Sequence, residues 1–402
     1  MPIQAILGRH SPLHPLTFEL QGRHDHPRRA VESVWGAALP GAATALPAKL
    51  TSGVPLVASL ELLSKLDARV QEMHTWLEPL LGVLAKGGEG PDPALDVLAL
   101  DLAIVEDLDE PLGWGLRWVE FQAFSSVLAT VCGLHRAHAL LWPELQSCPP
   151  WNAVPGGADW VEYCKTWLAP SEHSILLEDR PDEQGTSFDF AAAAVLWGLP
   201  IVDTADVRVT AGVLSRQAPD GTWQEVSHVS NRVILHKAED AKSLAELLAK
   251  AAVSWHSHPS GYYRINKGLM PDLPMRPEER CARADQWQSL GLPPSALALK
   301  AIESHAGVDV NLHVTAAALA ELESPENWIV QPKYKPLPLF RSSGGAPIFG
   351  EIRCMVLLRD GCEPWVAARL ARLSGGEKVS ISSQLGAEGE GLTVLHSPPK
   401  GS

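Results

Sequence analysis

The sequence predicts a mixed fold, α/β and α+β, in three regions. These are a mainly helical N-terminal region over 1–105, an α/β middle domain over 106–260 and an α+β region over 261–402. Three patterns predict it. Apolar residues recur at three- and four-residue spacings in the first hundred residues. Short apolar runs then alternate with amphipathic segments, the pattern of strands joined by helices around a mainly parallel sheet. Beyond a proline-rich junction the runs continue with one clear helix among them.

In "PLVASLELLSKLDARVQEMHTWLEPLLGVLAK", Leu60, Leu63, Leu66, Val70, Met73, Leu77, Leu80 and Leu81 form a helical stripe, and "GGEGPDP" (87–93) ends it as a loop. "DVLALDLAIVED", "LRWVEFQAF", "HSILLED", "LPIVDT" and "NRVIL" read as strands, with "SFDFAAAAVLWGL" and "DAKSLAELLAKAAV" as helices between some of them. "MPDLPMRPEE" (270–279) marks the junction. After it, "SALALKAI", "VDVNLHVT", "NWIVQPKY", "EIRCMVLL" and "EPWVAARLARL" read as strands and "TAAALAELES" as the helix. The tail "HSPPKGS" is expected to fray.

Of the 402 residues, 46% are hydrophobic and 20% charged, a globular balance. The net charge of -14 argues against a nucleic-acid partner, which needs a broad basic face. It leaves room for a local basic cluster around one phosphate group. The six cysteines contain no C-x-x-C pair, so reduced thiols are expected. With no signal-peptide pattern and no apolar run long enough for a membrane span, the expectation is a soluble, cytoplasmic protein.

"EIRCMVLLRDGCEPWVAARLARLSGGE" (351–377) sets Glu351, Arg353, Arg369 and Arg372 among residues that read as buried strand. Buried charges are costly unless paired, so the stretch is an internal ion-pair network or a site for a charged ligand. Glu351 and Arg353 share a strand face and could serve Mg²⁺ and phosphate together, or form a structural salt bridge. Lys300 ends an apolar strand before His305-Ala306-Gly307. That arrangement suits a polyphosphate cradle or a plain hairpin turn. Gln331, Pro332, Lys333 and Tyr334 close another apolar strand, as at a sheet edge. His256 and His258 lack an acidic partner nearby in sequence, so structural roles are favoured over a metal. Glu120 and Gln122 alternate on a strand, a pattern that often pairs with local backbone or can serve a substrate. Glu178, Asp179, Gln184 and Thr186 follow another strand where open α/β sheets bind ligands, though a solvated loop and helix cap is the favoured reading.

In order, "VEFQAFSS", "ILLEDRPDEQGTSFDF", "WGLPIVDTADVRV", "VSNRVIL", "HPSGYYRINKGLMPDL", "LALKAIESHAGVDVNLHV", "ENWIVQPKY", "EIRCMVLL" and "ARLSGGE" resemble the ATP-grasp superfamily. More closely they resemble its circularly permuted, glutathionylspermidine-synthase-like bacterial group. The resemblance covers about residues 115 to 395. It implies ATP-grasp-like subdomains in the C-terminal part, with ATP held between them. By the same resemblance Lys300 holds phosphates, His305, Ala306 and Gly307 form the loop over them, and Gln331 to Tyr334 border the adenine. Glu351 is the implied Mg²⁺ ligand, and Arg353 and Arg372 the implied catalytic contacts to phosphate or acyl phosphate. Asn231, Arg232, Arg264 and Lys267 would lie near the same cleft. The sequence departs from the pattern in two places. The loop is not glycine-rich, and "KVSISSQ" after Glu377 contains no Glu-x-Asn pair.

The implied activity is an ATP-dependent carboxylate–amine ligase working through an acyl phosphate, with ATP and Mg²⁺ as cofactors and a small carboxylate and an amine as substrates. The alternatives are a nucleotide-binding scaffold or regulator without catalysis, and a structural protein with an internal salt-bridge network.

Overall fold

The computed structural model describes residues 10–21, 23–24, 26–42, 50–84, 95–238, 240–303, 309–342, 344–359, 362–376 and 389–399. Strands from both ends of the chain meet in a seven-stranded sheet. Its order is Leu56–Val57, Gly391–His396, Trp365–Ser374, Pro347–Leu357, Val97–Glu106 and Trp114–Gln122, with Pro338–Arg341 also paired to Pro347–Leu357. All pairs are antiparallel except the first, which is parallel.

Period-two alternation sorts these strands into two faces. Leu98, Leu100, Leu102 and Ile104 join Ile352, Cys354 and Val356 in a core against Leu62, Leu66, Val70, Met73 and Leu77 of the helix Leu60–Leu84. On the other face Val97, Ala99, Met355, Leu357 and Leu370 pack with the helices Pro27–Ala38, Leu128–Leu141 and Ser187–Trp197. That apolar cover stops at Asp101, Glu351, Arg353 and Arg372, which occupy the same face.

A four-stranded parallel sheet, ordered Ser254–His256, His228–Asn231, Ser174–Glu178 and Ile201–Asp203, carries the middle of the chain. A three-stranded meander over Val207–Thr210, Val213–Gln217 and Trp223–Glu225 follows it. An antiparallel four-stranded sheet, ordered Ala282–Arg283, Trp328–Pro332, Leu297–Ala301 and Val310–Asn311, forms the remaining layer.

The structure differs from the sequence reading at three points. The strand expected over "NRVIL" is instead His228–Asn231, because the Asn231 carboxamide oxygen accepts the Val233 amide at 3.1 Å and turns the chain. The helix Leu128–Leu141 was not expected: Leu128 through Leu134 are all buried, so its first two turns carry no polar face to reveal its period. The strands Val97–Glu106 and Trp114–Gln122 join the antiparallel sheet of the C-terminal part, not the parallel one. Half of the 14 tryptophans are buried in the interior, among them Trp35, Trp114, Trp118, Trp142, Trp160 and Trp197. Five cysteines are buried thiols and Cys362 is exposed. Among the described residues no helix is long and apolar enough to cross a membrane.

Three histidines lock the last strand onto the helix Leu128–Leu141. His138 Nδ1 lies 2.9 Å from His396 Nε2, and His396 Nδ1 donates to the Cys148 carbonyl at 2.8 Å. The His135 ring sits 5.4 Å from that of His396. Burial, then the neighbouring Arg136, pushes His135 down to about 4; burial, then His135, pushes His138 down to about 3. His396 is lowered as well, first by burial and then by His138. These groups bind protons more weakly in the folded chain than in the unfolded one. Their stabilisation is therefore complete above the unfolded value of 6.5 and is lost as pH falls below it. The urea midpoint should drop as pH falls from 6.5 toward 4, with a shallower drop in His138→Gln.

Candidate functional site

Strand register assembles the charged face. Glu120 lies opposite Asp101, and Asp101 opposite Arg353. One step along, Ala103 lies opposite Glu351, and Glu351 opposite Arg372. Four neighbouring strands thus place five charged side chains on one face, where directly opposed side chains meet.

Asp101 is the centre of this group. It is 1% exposed, and both its oxygens are taken. Arg353 donates from Nε to Oδ1 at 2.7 Å and from Nη2 to Oδ2 at 2.6 Å, a bidentate pair. Arg372 Nη2 donates to Oδ2 at 2.5 Å, and the same nitrogen donates to Glu351 Oε1. Arg353 Nη1 also donates to Ser126 Oγ at 3.0 Å. Burial by itself would raise the Asp101 carboxyl, yet Arg353 and then Arg372 outweigh it and hold the group below the usual carboxylate range. Arg353 is correspondingly raised, with Asp101 overcoming the effect of burial. The loop that supplies Ser126 enters its helix through Val127 at φ 51°, a left-handed conformation costly for a β-branched residue.

The opposing wall is the four-stranded antiparallel sheet. Leu297, Leu299 and Val330 turn into its own core, which leaves Ala298, Lys300 and Gln331 on the other face. Lys300 Nζ donates to the Val119 carbonyl at 2.8 Å. Val119 is the extra residue of a β-bulge between the Asp101–Glu120 and Leu102–Trp118 pairs, and a bulge interrupts the ladder that would otherwise engage such a group. Gln331 Nε2 donates to the adjacent Trp118 carbonyl at 3.4 Å. Burial, opposed by Glu120, lowers the Lys300 amine to about 8, so it remains mainly protonated at neutral pH.

Between the two walls lies an open cleft. Lys300, Gln331, Pro332, Lys333 and Tyr334 line one side, and Glu120, Glu351 and Arg372 the other. Gln331 Oε1 and Tyr334 Oη are buried without a hydrogen-bond partner among the described residues. Such groups call for an explanation, and a ligand that satisfies them is one.

The cleft therefore brings together eight of the residues singled out from the sequence. Arg353 lies beneath it on Asp101, and Lys267 is 3.6 Å from Glu120. His305, Ala306 and Gly307 lie outside the described residues. Arg232 does not join this wall: it donates to Asp189 at 2.5 Å and stacks over Phe190. Asn231 bonds the Ser257 carbonyl, and Arg264 does not line the cleft. Arg369 points to the opposite face, where it donates to Asn152. His256 pairs with Asp96 at 2.6 Å, and His258 caps the short helix Pro259–Arg264, so both have structural partners. Sequence reasoning passed over Asp101. Its signal was a lone carboxylate among alanines on one face of "VLALDLAIV".

No family model matches the chain, and no curated protein does. Its fold is similar to that of a solved structure, the apo form of a glutathione synthetase-like effector from Globodera pallida. The likeness has a TM-score of 0.51 at 10% identity and covers 87% of this chain and 93% of that one. The likeness is one of fold. That architecture is what the two chains share.

Removing Asp101 would leave two buried guanidiniums short of their counter-charge. Asp101→Ala should lower the urea unfolding free energy by about 3–5 kcal/mol, the usual cost of breaking a buried ion pair from one side.

Proposed function

We propose that the cleft binds ATP and that the protein is an ATP-dependent carboxylate–amine ligase. One observation carries this reading. Lys300 and Arg372 face a common cleft from two different sheets, with the Gln331–Tyr334 segment between them, in a fold shared with a glutathione synthetase-like protein. On the ordered segments quoted above we assign the chain to the circularly permuted, glutathionylspermidine-synthase-like group.

In the proposed reaction a substrate carboxylate oxygen attacks the γ-phosphorus of ATP. The bond from that phosphorus to the bridging oxygen breaks, and ADP leaves with the electron pair. The amine nitrogen then attacks the acyl carbon of the acyl phosphate. Phosphate leaves with the carbon–oxygen pair, and the ammonium proton is released. Lys300 and Arg372 would neutralise the phosphate oxygens, which is the main task of a protein in phosphoryl transfer. Arg353, held by Asp101, would support Arg372 from below. Gln331, Pro332, Lys333 and Tyr334 would border the adenine through backbone groups and the free Gln331 Oε1 and Tyr334 Oη.

Magnesium was the other implied cofactor, with Glu351 as its ligand. The donor set does not fit that ion as arranged. Glu351 gives an oxygen to Arg372, and Asp101 gives both of its oxygens to arginines. The proposed chemistry therefore rests on the protein's own cations. The same pairing favours a second reading, a nucleotide-binding scaffold or regulator that does not turn over.

Calorimetry with ATP tests the shared premise. Lys300→Ala should weaken ATP binding by about tenfold or more, the value of one charge-assisted contact. Wild-type affinity should begin to fall as pH rises past about 8, where the Lys300 amine loses its proton. Wild-type binding that the substitution leaves unchanged would remove the phosphate role of Lys300. ADP release in the presence of small acids and amines separates the ligase from the scaffold.

A further inference from the structure

We infer that the cleft takes the triphosphate of ATP without a divalent cation, the guanidinium of Arg372 standing where a metal ion would bridge Asp101 and Glu351. The inference rests on the ATP-binding reading above and goes beyond it in what the ligand must bring.

The geometry is specific. A single nitrogen, Arg372 Nη2, donates to Asp101 Oδ2 and to Glu351 Oε1, carboxylates on adjacent strands. That is the position a bridging cation would need. Asp101 is 1% exposed and Glu351 is 5% exposed, so the site has little room for the water that magnesium tends to keep. The third carboxylate, Glu120, faces Lys267 at 3.6 Å and Arg353 at 3.8 Å. Among the described residues no three His, Cys, Asp or Glu side chains are grouped to hold a metal.

Charge balance points the same way. Lys300, Lys333 and Arg372 outnumber Glu120 and Glu351 along the walls, and beneath them Arg353 and Lys267 outnumber Asp101. In a chain of net charge -14 this is a local cationic pocket, suited to a polyanion and unsuited to recruiting a free divalent ion. Arg372 Nε is buried with no partner among the described residues, a donor still to be satisfied. Displacing Arg372 to admit a metal would strand a buried guanidinium, which is strongly unfavourable.

The test is ATP calorimetry on the full chain in excess magnesium and in excess EDTA, with manganese binding followed by electron paramagnetic resonance in the absence of nucleotide. The expected result is ATP binding in EDTA within about threefold of that in magnesium, a difference below 1 kcal/mol, and no manganese bound by wild type. Arg372→Gln, by freeing Glu351 and one side of Asp101, should gain manganese binding. ATP binding that needs magnesium overturns the inference and leaves the ATP reading standing. Manganese held by wild type without ATP also overturns it. No ATP binding in either buffer overturns both.

Discussion

The structure around the cleft depends on one carboxylate in the wrong place for a core. Asp101 sits in the middle of an apolar strand, where an unpaired charge would be prohibitively costly. The bidentate Arg353 pair and the Arg372 contact make it tolerable, and these same contacts hold both arginines in place. Neither arginine is free to search rotamers. The cation that faces the cleft is therefore oriented before any ligand arrives, which reduces the ordering cost of binding.

Register makes that arrangement possible. Antiparallel pairing places Glu120, Asp101 and Arg353 across three strands in one row, and Glu351 and Arg372 in the next. A slip of one residue would send the charges into the core packed on the Leu60–Leu84 helix and its apolar partners into the cleft. The β-bulge at Val119 adds a second constraint. It offers Lys300 a carbonyl across the cleft, so the two sheets are tied together there. Site and sheet stability are thus linked through the same few residues.

The fold likeness to a glutathione synthetase-like effector gives this geometry a framework, since both chains are matched over most of their length. The framework leaves the chemistry to the cleft itself. There the pairing of charges is the feature that bears on a metal. Carboxylates that could hold a cation are neutralised internally, and the surplus is positive.

Much of the site was legible in the sequence. Lys300, Gln331 and Glu351 stood out because a polar side chain at a strand position in an apolar run needs a reason, and period-two spacing showed which residues share a face. The strand expected over 231–235 was misjudged because its apolar residues outweighed the Asn231 turn. The Leu128–Leu141 helix escaped because burial of its first two turns on all sides erases the helical period there. What tertiary structure alone decided was partnership. Asp101 and Arg353 are 252 residues apart, and no local pattern relates them; sheet pairing brings them to hydrogen-bonding distance. The sequence by itself determined that charges would be buried here, because the flanking residues leave them nowhere else to go. Which charge meets which, and so whether Glu351 faces a metal or an arginine, was decided by the register of strands far apart in the chain.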